Sequence, residues 1–497
     1  MSGYLFDNAL CLVERAGRFE AERWSVEIAG SKIISLHVPG TPMPSEREFI
    51  DASHLLAIPG FVNCHSHSPD NMTRGMTGDM PLELWSLTSS AAREKRDLRE
   101  IYVSTMLGAI EMILSGTTAV LDHVRISPDV DLDSLDAVAA AWKDSGMRVV
   151  IAPIVSDKSV VDTLPFEPGD FSEGQDLSSY GRRQPLPPAE QMRIVEEFYN
   201  RWNGQSEGRI SVAIGPSGPQ RCSDALLLAA GEFSERHNAI LHTHALETRL
   251  QREMGFKLYR RGVVAHLNEL GLLTPRTNLV HSIWLEPGDI EIIAAADASV
   301  VHNPVSNARL GSGYCPIPDL LESGVRIGLG TDSACCNDSA NLLETVKWTA
   351  LLHNLRSDNE ERWIGPGNAL RLGTSGGANV IGLSGVGRIE PGYSADITFF
   401  RLQNPAFKPL HDPTRQLVLS ENGRAIDRVM INGRIAVSDG RCTNIDASAI
   451  WDEAQAIADR RRIDGASAHV AANALEQPIR KMRSRYGKLW AEGCSCH

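Results

Sequence analysis

Eight short runs of apolar and β-branched residues recur between positions 57 and 385, and longer stretches with helical patterning lie between them. In order they read AIPGFVN, GTTAVLD, MRVVIAP, ISVAIGP, AILHTH, TNLVHS, ASVVHNP and VRIGLGTD, with stretches such as LREIYVSTMLGAIEMILSG and DALLLAAGEFSERHN in between. Regular alternation of β and α segments makes an α/β protein with parallel strands. Eight such units point to a (β/α)8 barrel, and 497 residues are ample for a core of that size.

The flanks read differently. YLFDNALCLV, WSVEIAGSKIISL and REFIDASHLLAIPG near the start, and VGRIEPGYSADITFF and RAIDRVMINGRIAVSDG towards the end, are short apolar runs broken by turn residues. They predict antiparallel β structure, with a hairpin at Asn432-Gly433. Two β-rich ends around an α/β middle suggest one small β domain built from both, residues 1–56 with 386–445, beside a barrel domain at 57–385. Residues 446–497 are charged and helical, an extension for the surface or for packing against another subunit. The Pro-, Gly-, Ser- and Asp-rich stretch 158–190 is expected to form a long loop over the barrel mouth.

Composition narrows the partners. A net charge of -13 argues against a nucleic-acid footprint and favours a small-molecule ligand. No apolar run approaches the roughly 20 residues of a membrane span. The first residues, MSGYLFDNALCLVERAG, lack the basic and apolar regions of a signal peptide. Nine cysteines, scattered and odd in number, do not make a disulfide framework and fit a reducing, cytoplasmic compartment. The final CSCH has metal-binding residue types but no partner cluster.

The chemistry-bearing residues fall at the C-terminal ends of the expected strands, where barrels of this kind place their active sites. The first strand ends in His65 and His67, the second in Asp122-His123, and the fifth in His242 and His244 with Glu247 beyond. The sixth ends in His281, the seventh in His302 and the eighth in Asp332. Residues two apart on a strand share a face, so His65 and His67 can grip one ion together. A single histidine in such a place is usually an ordinary hydrogen-bonded residue. Seven of the 15 histidines gathered at strand ends, with Gly-Thr-Asp on the last strand, read instead as a metal site. Imidazole and carboxylate suit Zn2+, with Fe2+ the other candidate.

The motifs PGFVNCHSHSPDNMTRGM, HTHALET, LVHSIWL, HNPVSNARLGSG, GVRIGLGTDSACCNDSANLLE and GRIEPGYSADITFF resemble the amidohydrolase superfamily over most of the chain. The similar branch holds S-adenosylhomocysteine deaminase, guanine and 8-oxoguanine deaminases, hydroxyatrazine ethylaminohydrolase and related s-triazine hydrolases. The resemblance implies a distorted (β/α)8 barrel with a β-sandwich made from both chain ends, and often a homo-oligomer. It implies metal ligands His65, His67, His244 and Asp332, Glu247 as catalytic acid, and His281 as the histidine that contacts the attacking water or the oxyanion. Two-metal relatives carry a carboxylated lysine on the fourth strand; RISVAIGPSGPQRC has no lysine, so one divalent metal is expected.

The reaction so implied is hydrolytic deamination of an amino-substituted N-heterocycle, such as an aminopurine, a pyrimidine or an s-triazine. Metal-bound hydroxide attacks a ring carbon, Asp332 takes the water's proton with help from His281, and Glu247 protonates the adjacent ring nitrogen. Displacement of chloride or an alkylamine from an s-triazine by the same site is the alternative; a cyclic amide hydrolase and a non-catalytic relative are more distant ones. S-adenosylhomocysteine deaminases carry a histidine where this chain has Ser217, which sets nucleoside recognition apart. Trp85, His123, Ser217, Gln220, His302 and Asn307 are the candidate substrate contacts, with Trp85 able to stack on a flat ring.

Overall fold

A computed structural model describes residues 3–41, 47–92, 96–172, 185–464 and 468–493. The tail CSCH and the middle of the 158–190 stretch lie outside the described residues.

All eight expected strands are present, and their backbones run parallel: β1 Phe61–Ser66, β2 Thr117–Val124, β3 Arg148–Val155, β4 in two segments Ile210–Val212 and Gly215–Pro216, β5 Leu241–Ala245, β6 Thr277–His281, β7 Ser299–His302 and β8 Arg326–Leu329. One sheet runs β1–β2–β3 and on to both segments of β4; a second runs β5–β6–β7–β8. Isolated parallel bridges join them at both edges, Ile214 to Leu241 and Ser66 to Asp332. Every residue of β1, β2 and β3 is buried. Such strands are covered on both faces, which is why they read as continuous apolar runs rather than alternating ones. The fold is therefore α/β with parallel sheets.

The two chain ends meet in one nine-stranded sheet. Its seam is the antiparallel pair of Leu55–Pro59 with Ile397–Arg401, from Leu55 opposite Arg401 to Pro59 opposite Ile397. Phe6 and Phe399 stack across it with ring centroids 4.4 Å apart, in a cluster with Val26, Ile28, Ile33 and Met430. The sheet is not antiparallel throughout: Glu48–Asp51 and Leu55–Pro59 both run parallel to the first strand, Gly3–Arg15. The Asn432-Gly433 hairpin forms as expected, both residues taking positive φ, 53° and 75°.

The closing helices, Ala447–Asp464 and Ala468–Gly493, each pack apolar residues against the rest of the chain. Ile450, Ala454 and Ile457 pack on Val103, Met106 and Ile110 of the helix Leu98–Leu114. Leu475, Ile479 and Met482 pack on Leu84, Phe166 and Leu250. Arg483 pairs with the buried Glu83, and Arg485 lies 2.8 Å from Asp170. These contacts tie the last helix to the helix Leu82–Ala92 and to the segment after β3. Among the described residues the cysteines are free thiols, and no helix is long and apolar enough to cross a membrane.

Candidate active site

His65, His67, His244, His281, Asp332 and Glu247 come from four different strands or the turns just after them, yet they converge on one buried point. The tautomers there can be read from the backbone. His67 Nδ1 lies 2.6 Å from the carbonyl of His123, and His244 Nδ1 lies 2.6 Å from the carbonyl of Ser217. A carbonyl only accepts, so each Nδ1 carries the proton and each Nε2 offers a lone pair. Those two Nε2 atoms stand 3.4 Å apart, a contact that cannot be a hydrogen bond when neither bears a proton. Asp332 Oδ1 lies 3.4 Å from His67 Nε2 and 3.5 Å from His65 Nε2. His65 Nε2 is buried with no hydrogen-bond partner, while its Nδ1 meets His242 Nε2 at 2.8 Å.

Lone pairs and a carboxylate oxygen aimed at one another repel unless a cation lies between them. Donors spaced like the 3.4 Å pair surround a point about 2.1 Å from each, which is the zinc–nitrogen distance. Burial drives the His65 imidazole down to about 4 and that of His244 well below its ordinary value, so both stay neutral and able to ligate. Burial opposes the charge on Asp332; its carboxyl lies well below the usual range when the adjoining His65 and His67 rings present N–H to it, a role that a cation between them takes over. The donor set fits one divalent metal ion.

Two of these residues sit in left-handed backbone conformation without being glycine, His281 at φ 75° and Asp332 at φ 64°. That strain persists because hydrogen bonds fix it on both sides. Asp332 N–H donates to the His65 carbonyl at 2.9 Å, and Ser282 N–H donates to Ala245 O at 3.0 Å. Asp332 Oδ2 also accepts from Ser306 Oγ at 2.6 Å.

Glu247 is of a different kind. It is 4% exposed, and burial pushes its carboxyl up to about 7, with Asp332 and Glu83 adding to the rise and His281 and Arg221 opposing it. Its Oε2 stands 3.6 Å from His281 Nε2. His281 Nδ1–H donates to Asn307 Oδ1 at 2.8 Å, so His281 Nε2 faces Glu247 and, at 3.9 Å, Asp332 Oδ2. The arrangement places a carboxyl able to hold a proton near neutrality beside a carboxylate that stays ionised. Paired environments of that sort separate acid from base.

A cavity of about 70 Å³ opens on this cluster, with Trp85, Ser217 and Gln220 in its wall. His123, His302 and Asn307 do not line it: His302 packs on His353, Asn307 stands behind His281, and His123 lies among the histidine rings. His242 lies behind His65. The wall also holds residues that sequence reading passed over, chiefly Asp70, Arg125, Arg221 and Cys336. Arg125 Nη2 donates to Ser217 Oγ at 2.9 Å. It follows His123 by two, so strand alternation would have pointed to it.

A model of the amidohydrolase family matches residues 56–436. A 5-methylthioadenosine/S-adenosylhomocysteine deaminase of Pelotomaculum thermopropionicum is 33% identical over 433 residues, 86% of this chain and 92% of its own length. A 5'-deoxyadenosine deaminase of Methanothermobacter thermautotrophicus is 30% identical over 440 residues, 88% and 94%. Among solved structures, atrazine chlorohydrolase from Arthrobacter aurescens complexed with zinc superposes with a TM-score of 0.81 at 25% identity, covering 92% of this chain and 100% of that one. An adenosine deaminase from Xanthomonas campestris with bound zinc gives 0.80 at 22% identity, covering 93% and 98%, a likeness of fold. The chain belongs to the amidohydrolase family and is a hydrolase of carbon–nitrogen bonds in cyclic amidines.

Proposed function

We propose that this chain is a mononuclear, zinc-dependent aminohydrolase that releases ammonia from an amino-substituted N-heterocycle, with adenine-ring nucleosides the first class to test. The observation that carries the reading is Glu247, a buried carboxyl pushed up to about 7 and 3.6 Å from His281, beside the converging His and Asp donors. Relatives at about 30% identity that deaminate adenosine-type compounds support the leaving group and ring class.

In this reading His65, His67, His244 and Asp332 hold the ion. A divalent metal bound there lowers the pKa of a water and polarises the reacting centre. Asp332, ionised and anchored through Oδ2 by Ser306, accepts the proton the water loses as its oxygen adds to the amino-bearing carbon. Glu247, held protonated by burial, gives its proton to the neighbouring ring nitrogen, so the ring accepts the electron pair. His281, fixed by Asn307, keeps Nε2 towards the addition site. The proton on Asp332 then passes to the amino group, which leaves as ammonia; the proton remaining on the added oxygen returns to Glu247, and the ring keeps the oxygen as a carbonyl. Trp85 and Gln220 face the ring from the cavity wall.

The architecture belongs to the same reading. The bridges at both sheet edges support a closed, distorted (β/α)8 barrel at 57–385. The apolar cluster on the terminal sheet, drawn from both chain ends, supports a β-sandwich of 1–56 with 386–445, with 446–497 as a helical extension. Exposed Trp348, Leu351 and Leu355 around one helix end support a homo-oligomer, which light scattering tests.

A second reading, displacement of chloride or an alkylamine from an s-triazine, is favoured by Ser217 in place of a nucleoside-reading histidine and by the likeness to atrazine chlorohydrolase. The test is a panel of adenosines, aminopurines, cytosine analogues and amino- or chloro-triazines on protein of measured metal content. Ammonia from adenine-ring compounds is the expected result. Chloride or alkylamine from triazines alone would replace it with the second reading, and silence across the panel would sink both.

A further inference from the structure

We propose that His123 is a donor to the metal centre, alongside His65, His67 and His244, rather than a contact for substrate. The inference rests on the metal reading above.

His123 lies on β2 with its ring fully buried and outside the cavity wall. Imidazoles surround it: ring centroids stand 4.8 Å away at His244, 5.1 Å at His242, 5.5 Å at His67 and 5.7 Å at His65. Both His123 ring nitrogens are buried, and neither has a hydrogen-bond partner. A neutral imidazole has one N–H and one lone pair, and burying both without partners is costly. A ring so placed has something to bind.

The sequence makes room for it there. A Cβ on Gly215 of β4 would sit 2.5 Å from Cδ2 and Nε2 of His123, so only glycine lets the ring occupy that position. One nitrogen each from His65, His67, His123 and His244 fall within 4.8 Å of one another. Two nitrogens sharing an ion at zinc distance are at most about 4.2 Å apart. The His123 ring must therefore draw in towards the others to share the ion. Its backbone already serves the site, since the His123 carbonyl fixes the tautomer of His67. Four imidazoles and one carboxylate, with a position left for water, would suit Fe2+ as well as Zn2+.

The test strips the full-length protein with a chelator and reloads it with Zn2+ or Co2+. X-ray absorption then counts imidazoles on the ion, and competition with a chromophoric chelator gives the affinity. The wild type is expected to show four imidazoles at one ion per chain. His123→Phe and Gly215→Ala are each expected to show three and to bind at least about tenfold more weakly. Loss of a merely supporting neighbour can cost as much affinity, so the count decides. Three imidazoles in the wild type, or variants with unchanged count, overturn the inference while leaving the metal site intact. A wild type that takes up no ion overturns the metal reading itself, and this inference with it.

Discussion

The metal corner and the rim of the same cavity are built by different means. At the corner, each donor stands at or just after a strand end, and its second nitrogen or oxygen is taken by a backbone carbonyl, a ring or a hydroxyl. At the rim, Trp85 comes from the helix Leu82–Ala92, Val160 from the segment after β3, and Arg125 and Arg221 from turns after β2 and β4. The helix under Trp85 is itself held by the last helix of the chain, through Glu83 and Arg483. Position at the corner is set by the sheets; position at the rim is set by side-chain packing between segments far apart in sequence. Chemistry can then stay fixed while the rim changes what enters.

Four measurements would break or sharpen that comparison. The largest effect is expected at the corner: Glu247→Gln should lower kcat by about 10⁴ with one metal still bound per chain. A variant that keeps substantial turnover would remove Glu247 from the chemistry. Next is pH. Glu247 acts as an acid only while protonated, and burial sets its carboxyl at about 7. Thus kcat/KM should be level below that pH and fall about tenfold per unit above it; a level profile to pH 9 would contradict the assignment.

At the rim, Trp85→Ala should raise KM about tenfold, as loss of one aromatic face does, with metal content unchanged. Metal loss in that variant would show that rim and corner are not separable. The smallest effect on turnover is expected from Arg483→Met, which leaves the buried Glu83 carboxylate without its cation and should destabilise the fold by about 2 kcal/mol. Calorimetry on that variant and on the double variant with Glu83→Gln checks it: the second change should recover much of the loss.

The corner was largely legible in the sequence, and the reasons are local. The i, i+2 spacing of His65 with His67 and of His242 with His244 states which side chains share a strand face. It does not state depth. His242 turns out to lie behind His65, and only the resemblance separated it from His244. Depth is also why His123, His302 and Asn307, all near strand ends, stand away from the cavity wall. The support of Asp332 by Ser306 joins segments 26 residues apart, and no spacing rule reaches it. The rim was less legible because its members meet only through tertiary packing. The closing helices show this best: their apolar faces suited another subunit as well as this chain, and they lie against this chain.

Only Gly60 separates Leu55–Pro59, a strand of the terminal sheet, from β1, the strand that carries His65. One edge of Leu55–Pro59 is completed by Ile397–Arg401, and the His65 carbonyl accepts from Asp332 N–H. During synthesis, therefore, His65 and His67, the first of the proposed ligands, emerge hundreds of residues before the segments that hold them in place. Closing contacts of such span is slow. Until residue 401 is free, Leu55–Pro59 offers an unpaired strand edge, the kind of surface that pairs with other chains. The nascent protein thus keeps an aggregation-prone edge open at the strand that leads into its candidate metal site.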